Sequence, residues 1–322
     1  LRLAVGGRVI ILLIMTNKRE FPTWFYEGAL LLTTVVWGSS FVVLKGALDI
    51  IPAAWLLALR FGLAAAICTL LFWRRLQDNL DGSHLIAGAL IGLSGGAAYL
   101  VQNIGLEVTT PGKNAFLTAT YCVMVPFLYW IIGHKRPGVH NVVASLLCIV
   151  GVALIAMGGV QGTELSGMLS FNEGDALTLV AAFLFAVNIV LIAYFAPAHD
   201  VGTLTVVQLY VFTGLCAVVG FLTQSLPTAS VFTSDLIAKL AYLVLVCTVF
   251  AIASQNFAQK HVEPSHAALL MSFESVFGVM FSVLVYHEIV TPAMFLGFAA
   301  IFISVLISEL MGGQDDRNNG MR

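Results

Sequence analysis

The sequence predicts an all-α integral membrane protein: ten transmembrane helices arranged as two inverted five-helix repeats. Three observations carry this. The 322 residues are 59% hydrophobic and only 10% charged, whereas a soluble domain carries about 25% charged residues, so lipid must be the solvent for much of the surface. Ten stretches reach the roughly 20 mostly apolar residues that cross a hydrocarbon core, at 25–45, 52–73, 84–103, 113–131, 139–157, 175–195, 203–224, 236–256, 264–286 and 291–309. The two halves of the chain also match each other without a gap over a long stretch. Connections are short throughout, and none could form a soluble domain.

Ahead of the first span, Arg2 and Arg8 precede a short apolar run, Val9 to Met15. The run resembles a signal peptide but is too short and lacks a cleavage site. Met15 followed by Thr16-Asn17-Lys18-Arg19 reads as a natural start, and residues 1–14 are expected to come from an upstream start choice. The first span contains Trp37-Gly38-Ser39-Ser40-Phe41, and the second contains Arg60. The third is rich in glycine: Gly88, Gly92 and Gly96 recur every four residues, the small-xxx-small pattern of close helix packing. Spans four and nine each follow a proline, Pro111 and Pro264, a residue that pre-shapes a helix start and breaks the helix before it. The longest connection, 158–174, carries Gly158, Gly159, Gly162 and Gly167 and separates a first repeat, 24–157, from a second, 175–310.

Loop charges orient the spans. With the N-terminus inside, the inner loops hold Lys18, Arg19, Arg74, Arg75, Lys135, Arg136, Lys260, Arg317 and Arg322, with Arg2 and Arg8 when present. The outer ends hold only Lys45, Lys113 and Lys239. Both termini are therefore expected to be cytoplasmic.

The internal match places Gln102-Asn103 on Gln255-Asn256, a shift of 153 residues. The same shift pairs Pro111 with Pro264, Ala115 with Ala268, Leu117 with Leu270, Tyr121 with Glu274, Val123 with Val276, His134 with His287 and Val152 with Val305. Gly62-Leu63 answers Gly214-Leu215 at a slightly different shift, and Glu27-Gly28 answers Glu173-Gly174. Five spans per half is an odd number, so the second half must enter the membrane inverted. Inverted repeats are the architecture of alternating-access transporters, whose substrate sites lie near the midplane between the halves.

Particular residues sharpen the reading. The first half contains Trp37-Gly38-Ser39-Ser40-Phe41, Lys45, Pro52, Arg60-Phe61, Ala115-Phe116-Leu117-Thr118, Tyr121, Pro126 and Gly133. The second contains Ser272-Phe273-Glu274, His287-Glu288 and Gly297. With these the chain resembles the EamA family of the drug/metabolite transporter superfamily over about 24–310. The resemblance implies a ten-helix carrier of the bacterial inner membrane, of a kind that often exports amino acids or other metabolites. Ser275 departs from the family pattern, where many relatives have proline, and so does Lys135, where many repeats carry an acid.

Other chemistries fit poorly. Gly92-Leu93-Ser94-Gly95-Gly96 matches a serine-hydrolase elbow, but that motif needs a soluble strand-to-helix turn and Ser94 lies in a span, with all seven histidines at or near span ends. Cys68, Cys122, Cys148, Cys216 and Cys247 sit in apolar runs without CxxC spacing and read as small buried hydrophobes. No HExxH or Cys/His cluster marks a metal site. No cofactor is expected, and a net charge of -2 argues against nucleic acid as a partner.

Polar groups deep in a span are costly unless they are paired or face a cavity. On that ground the candidate solute contacts are Glu274, Tyr121, Trp37, Tyr99, Asn188, Asn103, Asn256, Thr118, Ser272 and Arg60. Glu274 is the one acid near the centre of any span. It would bind a solute amino group or carry a coupling proton; the structural alternative bonds it to Ser272, Asn188 or a backbone carbonyl. Arg60 would be structural, tied to a loop acid such as Asp49, or would meet a solute carboxylate. Asn103 and Asn256, with Gln102 and Gln255, would satisfy backbone near the two prolines or line the cavity. The function expected is a secondary transporter, not an enzyme, that exports small organic metabolites such as amino acids or drug-like compounds by alternating access. The alternatives are a membrane-embedded serine hydrolase or protease and a non-transporting membrane scaffold.

Overall fold

The computed structural model describes residues 21–109, 111–133, 137–158 and 173–286, and in the last span 292–293, 295–297, 299–304 and 307. Residues 1–14, the linker beyond Gly158, His134, Lys135, His287 and much of the tenth span lie outside the described residues. Everything regular among the described residues is helical. Seven helices are long and apolar enough to cross a membrane, and three shorter apolar ones, Leu117–Ile132, Val139–Gly151 and Phe295–Ser304, fall on the fourth, fifth and tenth expected spans.

The first half opens with α1 (Thr23–Leu48) and α2 (Ala53–Leu71), followed by a short helix, α3 (Trp73–Asn79), absent from the sequence-based reading. The glycine-rich span is α4 (Gly82–Val108), the longest helix of the molecule as described, N-capped by the Asp81 carboxylate accepting from the His84 N–H at 2.8 Å. The second half has α8 (Glu173–Phe195) and α9 (Val201–Thr223), the latter capped by Asp200.

Two spans expected to be continuous are broken. Span four is α5 (Pro111–Ala119) followed by α6 (Tyr121–Gly133), ahead of α7 (Val139–Gly158). Span nine is α12 (Pro264–Met271) followed by α13 (Phe273–Tyr286). The breaks fall at Thr120 and Ser272, one residue apart in repeat register, and share a mechanism. Each hydroxyl donates to the carbonyl three residues back, Thr120 to Leu117 and Ser272 to Leu269, both at 2.6 Å. A side chain thereby competes with the backbone ladder and tightens the turn. In α6, Pro126 removes the bond that the Cys122 carbonyl would accept, and the Ser145 hydroxyl on α7 donates to that carbonyl at 3.1 Å.

Span eight is also irregular: α10 (Ser234–Val244), a π-helical segment Leu245–Phe250, then α11 (Ala251–Gln259). A π turn accommodates one extra residue, and the repeat locates it. α4 starts at Gly82 and α10 at Ser234, 152 residues apart, whereas Gln102 and Gln255 further along are 153 apart. The additional residue lies within span eight, where the π turn is.

Packing brings the halves together. α4 lies against α8 and α9, and α2 against α9. α1 lies on the broken span nine as α8 lies on the broken span four. The glycine stripe is the contact surface: a Cβ on Gly88 would come within 2.6 Å of Val207, on Gly92 within 2.6 Å of Val211, and on Gly96 within 3.1 Å of Phe212. Gly38 in α1 plays the same part against α13, where a Cβ would meet Phe277 at 2.5 Å. Large apolar side chains such as Leu70 and Leu222 point outward, 78% and 79% exposed, as the lipid-facing surface of a membrane protein requires.

A candidate solute cavity between the halves

Between the halves lies a cavity enclosing about 590 Å³ of space not filled by atoms, its mouth included. Seven of the ten residues singled out in the sequence line it: Trp37, Arg60, Tyr99, Thr118, Tyr121, Asn188 and Glu274. Its walls are built from repeat mates. Tyr121 faces it with Glu274, Gln102 with Gln255, Thr118 with Met271 and, at the 152-residue shift, Arg60 with Phe212. Trp37, Ser40 and Phe41 on α1 have the same spacing as Phe185, Asn188 and Ile189 on α8.

Three of the expected residues are elsewhere. Asn103 donates to the Tyr99 carbonyl at 2.8 Å, one turn back on its own helix. Asn256 donates to Thr205 and to the Gln208 side chain, both at 2.9 Å. The 100° step along a helix turns each asparagine away from the cavity and brings its preceding glutamine in. Ser272 is fully buried, with its hydroxyl on Leu269 and 3.0 Å from the Cys148 sulfur. The sequence-based list omitted Gln102, Gln255, Gln208 and the aromatic wall of Phe185 and Phe212. Gln102 and Gln255 were visible as a repeated Gln-Asn pair, but only helix phase decides which member faces inward.

Glu274 stands in the first turn of α13, where the helix N-terminus favours an anion. Its carboxylate faces the Tyr121 hydroxyl, and no ion pair engages it among the described residues. Two of the partners considered for a structural role are engaged elsewhere: Ser272 by Leu269, and the Asn188 amide by the Ile91 carbonyl at 2.8 Å and Ser94 at 3.2 Å. Tyr121, at the start of α6, turns its buried hydroxyl toward the Glu274 carboxylate.

Arg60 is 1% exposed and is not tied to Asp49. Its Nε donates to the Thr248 hydroxyl at 2.6 Å and its Nη2 to the Cys247 carbonyl at 3.1 Å, while Nη1 has no partner. Both acceptors belong to the π turn, and the Cys247 carbonyl also accepts from the Trp37 indole at 3.1 Å. The guanidinium carbon lies 5.7 Å from the Tyr99 ring centroid, within cation–π range. Tyr99 in turn packs edge-on against Phe185, with centroids 5.0 Å apart.

Polar bonds join the halves at both ends. At the end expected to be cytoplasmic, Arg75 pairs with Asp200 at 3.1 Å and Ser83 meets His199 at 2.8 Å. His84 accepts from the Asp200 N–H at 3.1 Å and holds Asp81 through its other ring nitrogen at 2.8 Å. Backbone and side-chain hydrogen bonds from His84 keep the Asp81 carboxyl below the usual carboxylate range. At the opposite end the Thr109 hydroxyl donates to Asp175 at 2.6 Å, and the Lys239 ammonium to the Gly46 carbonyl at 3.2 Å. The Ser94 hydroxyl donates to the Leu90 and Ile91 carbonyls of its own helix, both at 3.0 Å, and accepts from the Asn188 amide.

A two-repeat helical bundle around a polar cavity is the build of a membrane transporter, and comparison with known proteins agrees. The EamA-like transporter family model matches at residues 24–157 and again at 172–310, and the chain belongs to that family. An uncharacterized transporter from Archaeoglobus fulgidus is 30% identical over 89% of this chain and 86% of its own length. A second from the same organism is 27% identical over 80% and 88%. The uncharacterized transporter YoaV of Bacillus subtilis is 21% identical over 85% and 93%. The fold is shared with a solved crystal structure at a TM-score of 0.72 and 14% identity, covering 88% of this chain and 96% of that one. The protein is thus a multi-pass membrane transporter.

Proposed function

We propose that the protein is a secondary transporter that exports small organic metabolites, amino acids or drug-like compounds among them, by alternating access. The single observation that carries this is the cavity between the halves, where the Glu274 carboxylate, with the Tyr121 hydroxyl beside it, faces amides and aromatic rings. Such a mixture suits an amphipathic organic solute; an ion channel would want rings of carbonyls or charges. On this reading the units are two inverted five-helix repeats, 24–157 and 175–310, joined by 158–174. They sit in the bacterial inner membrane with both termini in the cytoplasm. Closing one end while opening the other would exchange the two sets of inter-half bonds. Glu274 either meets the solute's cationic group or carries a coupled proton.

Proteoliposomes loaded with a mixture of amino acids, nucleosides and common drugs, with the released solutes read by mass spectrometry, test this reading. Wild-type protein should release a subset of the mixture, and Glu274→Gln should cut that flux at least tenfold while melting within a few degrees of wild type. A well-folded Glu274→Gln protein with normal flux and unchanged pH dependence would make the carboxylate structural. No flux of any solute would favour a scaffold.

A further inference from the structure

The inner ends of the halves meet through two histidines, each accepting a hydrogen bond from the other half. His84, in the first turn of α4, is buried, and its Nε2 accepts from the Asp200 N–H at 3.1 Å. That bond needs a lone pair on Nε2, so the ring proton sits on Nδ1, 2.8 Å from the Asp81 carboxylate. His199, in the turn after α8, donates from Nδ1 to the Phe195 carbonyl at 2.8 Å, which leaves Nε2 to accept from the Ser83 hydroxyl at 2.8 Å. The two rings meet edge to face, with centroids 4.7 Å apart. The charged and titratable groups around His84 are Asp81 on its own turn, His199 and Asp200 across the interface and, on the far side of Asp200, Arg75 of α3. The Asp200 carboxylate is fully engaged: Oδ2 is on Arg75, and Oδ1 accepts from the Thr203 N–H at 2.9 Å and its hydroxyl at 3.1 Å.

The two bonds answer a proton differently. The Ser83 hydroxyl can rotate and accept from a protonated His199. The Asp200 N–H is fixed by the backbone, so a proton on Nε2 of His84 would set two donors face to face in a buried contact. Asp81 is exposed and belongs to the same turn as His84, so the charged ring keeps a partner after the halves part. The outer end has no equivalent. The mate of His84 at the 152-residue shift is Leu236, and the described bonds across that end, Thr109 with Asp175 and Lys239 with Gly46, contain no histidine.

We infer that His84 is a proton-operated latch of the inner end: neutral, it holds the halves together through the Asp200 N–H, and protonated from the cytoplasm it releases them and opens the cavity inward. This rests on the alternating-access reading and on the placing of this end in the cytoplasm, and it adds a control that belongs to one side of the membrane only. The sign follows from linkage. His84 binds a proton more tightly where the halves have parted, so acid favours the parted state and alkali the closed one. Histidine changes charge within the range of cellular pH. One contact at the same end has the opposite sign: His266 stands 3.4 Å from Glu27 of α1, and a proton there tightens the pair. Release on acidification therefore requires His84 to outweigh His266.

Spin labels on cysteines introduced at positions 78 and 198, both exposed and one on each half at the inner end, test it. They report the separation of the halves in purified full-length protein, otherwise cysteine-free, in lipid nanodiscs. A distance is read rather than a flux because Glu274 would bring its own pH dependence to transport. With all histidines in place, the label distance should pass from short to longer as the pH falls from about 8 to about 5.5. His84→Gln, whose amide oxygen can still accept from the Asp200 N–H but cannot take up a proton, should stay short throughout, whereas His199→Gln should keep the transition. Asp81→Asn retains a helix cap and removes the carboxylate that favours the charged ring, so it should lower the midpoint by about 0.5 pH unit or more. That shift decides the matter should His84→Gln fail to fold. A distance indifferent to pH, or one that shortens in acid and ceases to do so in His266→Gln, overturns the latch and leaves the transport reading to the mixed-solute flux. A transition that survives His84→Gln, or is lost with His199→Gln, moves the switch off His84 and overturns it equally. If the distances change as expected and no solute leaves the proteoliposomes, the latch stands and the carrier reading falls.

Discussion

A single glycine shows how tightly the two halves fit. Gly92 faces α9, and any side chain there must displace the Cβ of Val211, an atom fixed to its helix. Gly214 on α9 has nothing within 4 Å of its would-be Cβ. Replacing Gly92 by alanine should therefore cost about 1–3 kcal/mol by overpacking, whereas Gly214→Ala should cost nothing. Thermal unfolding of the two variants in detergent checks the contrast. The four-residue glycine spacing made this contact legible in the sequence. The partners of Arg60 were not legible, because the reading reached for the nearest acid in sequence, Asp49. The true acceptors lie 187 and 188 residues away on a π turn, and no residue type announces such a turn.

Among the elements, the broken spans set this molecule apart from a plain helical bundle. Both begin at a proline and both lose helical continuity at a hydroxyl-bearing residue, with Tyr121 or Glu274 just past the break. The prolines were visible as repeat mates. The breaks were not, since Thr120 and Ser272 sit in apolar runs that read as unbroken helix, and only the bond to the third carbonyl back distinguishes them. A helix in two pieces can turn at its join while each piece keeps its packing. If the proline corners are the hinges, Pro111→Ala or Pro264→Ala should change the transport rate several-fold and leave solute affinity within about twofold. Affinity loss at an unchanged rate would place the prolines in binding instead. Rates from counterflow and dissociation constants from equilibrium binding separate the two results.

For the whole molecule, composition alone was enough to place the chain in a membrane. The orientation rests on the eleven-to-three excess of basic residues at one side. It is checked by single cysteines introduced at positions 135 and 239 in a cysteine-free protein: a membrane-impermeant maleimide applied to intact cells should modify 239 and spare 135. The reverse pattern would invert the topology. If the carrier alternates access between inverted repeats, the near-symmetry of the halves has a consequence for it at rest. Were the repeats identical, the state open to one side would be the other state viewed from across the membrane, and the two would be equally populated. Here four mate pairs on the cavity wall include two that differ in charge, Arg60 against Phe212 and Glu274 against Tyr121. The empty protein therefore has no reason to divide its time evenly between the two sides. Each 1.4 kcal/mol by which these groups favour one state is a tenfold bias, so the same two residues that would recognise a solute also decide on which side the empty site waits for it.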